Sequence, residues 1–286
     1  MTFLVDSHCH LADLTFDDQR SAQLIIQRAR ASGVTHFMTV SCTLKDFAKN
    51  YRFVEQYENI FAACGIHPLN VEDEPDWSED ALETILKKDR VLALGETGLD
   101  FHYMPETRDL QLKVFARQLE LAVALKKPLV IHAREARRDT VDLLRATGAR
   151  DAGGVIHCFT DTKEMARECL DLGFYISFTG IATFKPSDNV REVVRYVPLD
   201  RMMVETDCPY LAPVPVRGRE NEPAYVRYTL SFIADFLNIS EEELARITSE
   251  NFEKLYGVKL KAPEPMDAPS DLRKIEKIAN HPFARR

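Results

Sequence analysis

Eight short apolar runs, each followed by a longer amphipathic stretch, constrain this chain more than any other feature. The runs are 3–5, 36–40, 60–64, 91–94, 129–131, 154–156, 174–178 and 202–204. Between them lie helix-like segments such as 17–31, 78–88, 106–125 and 163–172. In the third of these, Leu110, Val114, Leu121 and Leu125 recur near a helical spacing. Near-continuous apolar strands alternating with helices argue for a parallel sheet covered on both faces. Eight β-then-α units close on themselves as a single (β/α)8 TIM barrel, a fold of about 250 residues. The chain has 286 residues, 45% hydrophobic, enough for so large a core. A doubly wound open sheet is the alternative, but no GxGxxG follows the first run to favour it.

Near Leu260 the composition shifts. KAPEPMDAPS is rich in proline and alanine and leads into the basic, amphipathic DLRKIEKIANHPFARR. The expected organisation is one barrel domain over 1–259 and a linker with a peripheral tail over 260–286. Net charge is −8, which argues against a basic nucleic-acid coat. It leaves room for a nucleic-acid enzyme, because bound divalent cations supply positive charge locally. Six cysteines are scattered with no CxxC pair, as expected of reduced thiols. The opening MTFLVD lacks a basic region followed by an apolar one, and no stretch is apolar for about 18 residues. A cytoplasmic location with no membrane span is the expectation.

The chemistry sits where the apolar runs end. The first is followed by Asp6-Ser7-His8-Cys9-His10, the third by Gly65-Ile66-His67-Pro68, and the fourth by Gly95-Glu96-Thr97-Gly98-Leu99-Asp100. The fifth is followed by His132-Ala133-Arg134, the sixth by His157-Cys158-Phe159, and the eighth by Glu205-Thr206-Asp207-Cys208-Pro209. Alternate strand residues share a face, so His8 and His10 project together with Cys9 turned away. An isolated HxH reads equally well as two hydrogen-bonded histidines or as half of a metal site. Here five of eight histidines fall at strand ends, which converge on one mouth in a barrel. So many ionisable groups at one mouth are costly unless something pairs them, and a metal centre does so.

The candidate ligands are His8, His10, Glu96, His132, His157 and Asp207. Nitrogen and oxygen donors suit zinc, manganese, nickel or iron better than calcium. Six donors are too many for one catalytic zinc with an open position. They suit two divalent ions about 4 Å apart sharing a water, with Glu96 as the candidate bridge. Asp207 is placed to hold an ion and accept the proton from that water. Glu96 and Asp207 are therefore the expected catalytic pair, and hydrolysis the expected reaction. No GxSxG competes with that reading.

DSHCH, CGIHP, GETGLDFH, PLVIHAREA, GGVIHCFT, GFYISFTG and VETDCPYLAP resemble the TatD family of metal-dependent deoxyribonucleases, nearest its YcfH-like branch. The resemblance runs from about Phe3 to Gly257 with the motifs in order. It implies a TIM barrel of the amidohydrolase-like metal-dependent type. It implies that His8, His10, Glu96 and Asp207 hold one ion, and that Glu96, His132 and His157 hold the other. It also implies a phosphodiester substrate, usually DNA, cleaved from the 3′ end with magnesium or another divalent ion (Mg, Mn, Zn or Ni). A DNA strand needs phosphate contacts and stacking surfaces at the mouth. His67, Arg134, Tyr103 and Tyr210 are the candidates; Tyr103 and Tyr210, like Lys185, Arg217 and Arg219, read equally well as ordinary surface residues. Arg137 and Arg138 read as a solvated helix face. Glu205 is expected behind a ligand, orienting it. The alternative activity is an amidohydrolase or esterase acting on a small molecule, or an aminoacyl-tRNA deacylase. A scaffold that has lost catalysis ranks last, because no ligand is missing. A monomer is the default assembly.

Overall fold

All eight apolar runs become parallel strands in the computed structural model, which describes residues 3–17 and 20–264. The strands are β1 (Val5–Cys9), β2 (His36–Ser41), β3 (Ile60–Cys64), β4 (Val91–Asp100), β5 (Leu129–Arg134), β6 (Gly154–Ile156), β7 (Tyr175–Phe178) and β8 (Met202–Val204). They pair in sequence order from β1 to β8, forming a nearly closed barrel with helices outside. At the seam, Asp207 N donates to His8 O at 3.0 Å and His10 N to Cys208 O at 2.8 Å. The buried Asp6 carboxylate accepts from Thr206 N at 2.8 Å and Thr206 Oγ1 at 2.6 Å. The seam is thus sealed at the C-terminal end, where the first and last groups of site residues lie.

The helices are α1 (Ala22–Ala31), α2 (Phe47–Gln56), α3 (Glu79–Leu86), α4 (Arg108–Leu125), α5 (Arg137–Ala146), α6 (Lys163–Asp171), α7 (Asp188–Tyr196), α8 (Val226–Leu237) and α9 (Glu241–Tyr256). Inside the barrel, Val5, Met38, Ala63, Val130, Val155 and Met203 form one apolar layer, closed from below by Phe252 and Tyr256 of α9. Filling the barrel floor leaves only the opposite end open to a substrate. Among the described residues, no helix is long and apolar enough to cross a membrane.

Two irregularities re-aim the strands. Val5 faces inward, so strict alternation would turn His8 out. The β1–β2 register shifts between Asp6 and Cys9, and beyond the shift Cys9 joins the outer core while His8 and His10 face in. Likewise Ala93 faces inward, and the β4–β5 register shifts between Leu94 and Thr97. That shift brings Glu96 inward and sends Leu99 out. One extra residue in a strand reverses the facing of the side chains beyond it. Gly98 lies where β4 runs hard against β5; its φ is +143°, and a Cβ there would collide with the His132 carbonyl.

The strand ends are also clamped from outside. Gln111 of α4 accepts from Asp100 N at 2.8 Å and donates to Asp100 O at 3.0 Å. Gln118 does the same for Ile66, at 2.8 and 3.1 Å. The helix therefore buries two glutamines, while Leu110, expected on its apolar face, is 38% exposed. Helix α1 begins at Ala22, later than the expected 17, because Ser21 accepts from Leu24 N and caps it. Leu260, the first residue of the expected tail, is still anchored, its N–H donating to Glu253 Oε1 at 2.7 Å. The rest of that tail from residue 265 onward lies outside the described residues.

Candidate metal centre

Glu96 stands at the centre of the mouth, 2% exposed, with its two oxygens facing different groups. Oε2 lies 3.3 Å from His8 Nε2 and 3.6 Å from His10 Nε2. Oε1 lies 2.7 Å from His157 Nε2 and 3.1 Å from both His132 Nδ1 and His67 Nε2. Asp207 closes the first group, with Oδ1 3.3 Å from His10 Nε2 and 3.7 Å from His8 Nε2. The six side chains named as ligands from the strand ends are thus brought together around one carboxylate. Several three-residue groups among them have donor atoms within 4.8 Å of one another, including His8, His10 and Asp207, and His8, Glu96 and His157.

Partners behind each ring decide which nitrogen faces inward. His10 Nδ1 lies 3.1 Å from Val40 O, and a carbonyl only accepts, so Nδ1 carries the proton. His132 Nε2 lies 2.9 Å from Asp100 Oδ2, which protonates Nε2 and leaves Nδ1 bare. His157 Nδ1 stands 3.4 Å from Glu205 Oε1, a charge contact without hydrogen-bond geometry. Glu205 is in turn fixed by Ser177 Oγ at 2.7 Å and Cys158 N at 2.6 Å. In neutral His10 and His132 a lone pair is left pointing at a carboxylate oxygen. Two acceptors at such distances repel unless a cation lies between them. The donor set therefore fits divalent ions, and this is the arrangement in which an outer partner orients a metal-binding histidine.

His67 is different. Its Nδ1 accepts from Leu69 N at 3.1 Å, so the proton sits on Nε2, which points at Glu96 Oε1. It faces the centre as a hydrogen-bond donor. His8 Nδ1 is buried with no partner among the described residues.

The protonation tendencies differ across the cluster: burial holds His8 and His67 below the ordinary imidazole value, whereas the carboxylates raise others. Burial opposes protonation of His157, but the Glu96 and Glu205 carboxylates outweigh it and hold its pKa well above the ordinary value. Burial likewise opposes protonation of His10, but Cys42, Asp207 and Glu96 outweigh it. Burial alone would raise the pKa of Glu96; the surrounding histidines, His157 foremost, hold it well below the usual range. Asp207 is lowered too, against burial, by its contact with His10 and the nearby His157 and His8. Asp207 and Cys158 also hold left-handed backbone, φ +57° and +46°. Conformations of this kind cost about 1–3 kcal/mol and persist where surrounding bonds over-determine them. Here those bonds are Asp207 N to His8 O and Cys158 N to Glu205.

Above the centre opens a cleft of about 880 Å³. His67, Tyr103, Arg134 and Tyr210 line it. Arg134 lies 4.6 Å above the Tyr103 ring, and Tyr210 is 6.2 Å from the His10 ring. Tyr103 and Tyr210 are 59% and 56% exposed. Lys185, Arg217 and Arg219 are not among the described residues lining the cleft. Arg217 stacks over Phe184 at 3.8 Å instead. Arg137 and Arg138 pair with Glu168 and Asp142 along the helix surface. The sequence reading missed Asp100 as the partner of His132. The signal was its two-residue phase with Glu96 and Gly98 along β4. Nothing in the sequence marked Cys42 and Ser177 as standing at the site.

The family model described as TatD related DNase matches residues 5–257. The uncharacterized metal-dependent hydrolase YcfH of Escherichia coli K12 is 44% identical over 257 residues, 90% of this chain and 96% of its own. The 3′-5′ ssDNA/RNA exonuclease TatD of Citrobacter rodentium is 33% identical over 246 residues, 83% of this chain and 92% of its own. The crystal structure of YJJV, a TatD homolog from Escherichia coli K12, matches with a TM-score of 0.83 at 27% identity, covering 90% of this chain and 98% of that one.

Proposed function

The chain belongs to the TatD family of metal-dependent hydrolases, and from that premise we propose that it cleaves phosphodiester bonds in single-stranded DNA, removing nucleotides from the 3′ end. The observation that carries the proposal is the division of Glu96: one oxygen faces His8 and His10, the other His132 and His157. A carboxylate so placed would serve a pair of ions. His8, His10 and Asp207 would complete one ion's ligands, and His132 and His157 the other's. When bound, two such ions polarise the phosphate, stabilise the attacking and leaving oxygens, and make a shared water acidic near neutral pH.

The protein's own side chains do the rest. Asp207 accepts the proton of the attacking water. His67 lines the cleft, and on substrate binding its Nε2–H moves from its contact with Glu96 Oε1 to hydrogen-bond a phosphate oxygen. Arg134 neutralises the phosphate to be cleaved, and Tyr103 and Tyr210 stack on bases at the rim. Glu205 and Asp100 hold His157 and His132 in place without touching substrate. The exonuclease named in Citrobacter rodentium supports this substrate class.

A second reading is favoured by the acidic rim of the cleft, where Asp13, Glu135 and Asp161 stand. These carboxylates suit a small neutral or cationic ester or amide, or the aminoacyl end of a tRNA, better than a long polyanion. The experiment that separates the two uses stripped protein reloaded with Mg²⁺, Mn²⁺ or Zn²⁺. It is offered end-labelled single-stranded DNA, a panel of small esters and amides, and aminoacyl-tRNA. Shortening of the DNA supports the nuclease; intact DNA with turnover of an ester or amide supports the second reading.

A further inference from the structure

The end of β2 brings a thiol against the centre. Met38 and Val40 face into the barrel, and Cys42 follows in the same phase. Its Sγ lies 3.9 Å from His10 Nδ1 and 4.0 Å from Glu96 Oε2. His10, Cys42 and Glu96 offer donor atoms that all lie within 4.8 Å of one another, and Cys42 is a reduced, half-buried residue lining the cleft. The other thiol in the cleft, Cys158, is turned to Thr179 Oγ1 at 3.6 Å.

We propose that Cys42 is a conditional metal ligand. Its sulfur joins His10 and Glu96 when a thiophilic divalent ion such as zinc or cobalt fills the centre, and stays uncoordinated when the ion is magnesium. The inference rests on the metal-centre reading above and adds a donor to it. Zinc binds sulfur at about 2.3 Å and nitrogen or oxygen at about 2.0–2.2 Å, so neighbouring ligand atoms stand roughly 3.5 Å apart. Sγ stands 4.0 Å from Glu96 Oε2, about half an ångström beyond that spacing and within reach of a small side-chain rotation. Its 3.9 Å approach to His10 is to Nδ1, the nitrogen turned to Val40 O, and is not a ligand spacing. Thiolate selects zinc-like ions, whereas magnesium keeps oxygen ligands and several waters. As the sulfur–metal bond forms, the thiol proton passes to solvent. Catalytic zinc needs an open position for water, and an added sulfur occupies one. The ion held most tightly is therefore one under which turnover is slower.

The test loads stripped, full-length protein with cobalt(II) and records its absorption. Visible bands report cobalt held by nitrogen and oxygen, and a near-ultraviolet charge-transfer band reports a sulfur ligand. The wild type is expected to show both. Cys42→Ala and the near-isosteric Cys42→Ser are expected to lose the charge-transfer band, and Cys158→Ala to keep it. Equilibrium dialysis should show zinc affinity falling about tenfold or more in Cys42→Ala with magnesium affinity unchanged. Cobalt bound without the charge-transfer band, or a band that survives both Cys42 variants, overturns the role of Cys42 and leaves the centre standing. Failure to bind cobalt at all overturns both.

Discussion

Asp100 Oδ2 lies 2.9 Å from His132 Nε2, and that contact decides which nitrogen of His132 faces Glu96. The other carboxylate oxygen accepts from His102 N and Tyr103 N at 3.0 and 2.9 Å. In Asp100→Asn the amide oxygen keeps those two backbone donors and the NH₂ turns to His132. The ring then moves its proton to Nδ1, where a ligand lone pair is needed. The expected result is a 10–100-fold loss of metal affinity, in the range for disturbing such a partner. Isothermal titration of the stripped variant with Mn²⁺ measures it, and wild-type affinity would contradict the tautomer assignment.

Glu96→Ala removes the carboxylate shared by both donor sets. Metal assistance is worth several kcal/mol and each 1.36 kcal/mol is tenfold in rate, so activity should fall at least ~100- to 1,000-fold. Circular dichroism should stay wild-type, because the barrel core lies below the centre. Turnover retained in this variant would mean that Glu96 bridges nothing.

Tyr103 and Tyr210 stand exposed on the rim, and exposed aromatics are stacking platforms for bases. Base stacking on an aromatic is worth about 1–3 kcal/mol. Tyr103→Ala and Tyr210→Ala should each raise KM for single-stranded DNA by roughly 5- to 150-fold, with kcat little changed. Steady-state kinetics on oligonucleotides separates the two constants, and a fall in kcat alone would remove both tyrosines from substrate binding.

At the opposite end of the barrel, burial lowers the pKa of His36 to about 4, with nearby Arg30 adding to the effect and Lys261 and Glu253 opposing it. The ring is packed between Phe3 and Phe61. Its ordinary value is 6.5, so as pH falls the unfolded chain takes the proton first. The stabilising contribution is whole above 6.5 and is lost progressively down to about 4, by about 3 kcal/mol in all. Urea unfolding of the stripped protein across that window should show a smaller acid loss in His36→Phe than in wild type. Identical pH slopes would contradict it.

The barrel was legible because β3, β6 and β8 are uninterrupted apolar runs, matched by the structure at Ile60–Cys64, Gly154–Ile156 and Met202–Val204. Strands β1, β4 and β5 run further than their apolar runs, because His8, Glu96 and His132 are polar yet lie within the strands. The strand-end histidines pointed to a shared mouth, since a barrel brings every C-terminal end there. The two register shifts were not legible: a strand irregularity has no apolar signature, and alternation from Val5 or Ala93 would have turned His8 and Glu96 the wrong way. The burial of Gln111 and Gln118 was hidden for a related reason. Their polarity serves backbone groups at the strand ends, which appear only once the chain is folded.

The most direct test of the account joins metal content to cleavage. Stripped protein is titrated with Mn²⁺ while 3′- and 5′-labelled single-stranded DNA is followed on a gel, in wild type and in His132→Ala. Stepwise loss from the 3′ end that saturates as a second ion binds is expected, with one ion fewer and no cleavage in the variant. Saturation with a single ion, or cleavage undiminished in His132→Ala, would contradict a centre built on both oxygens of Glu96.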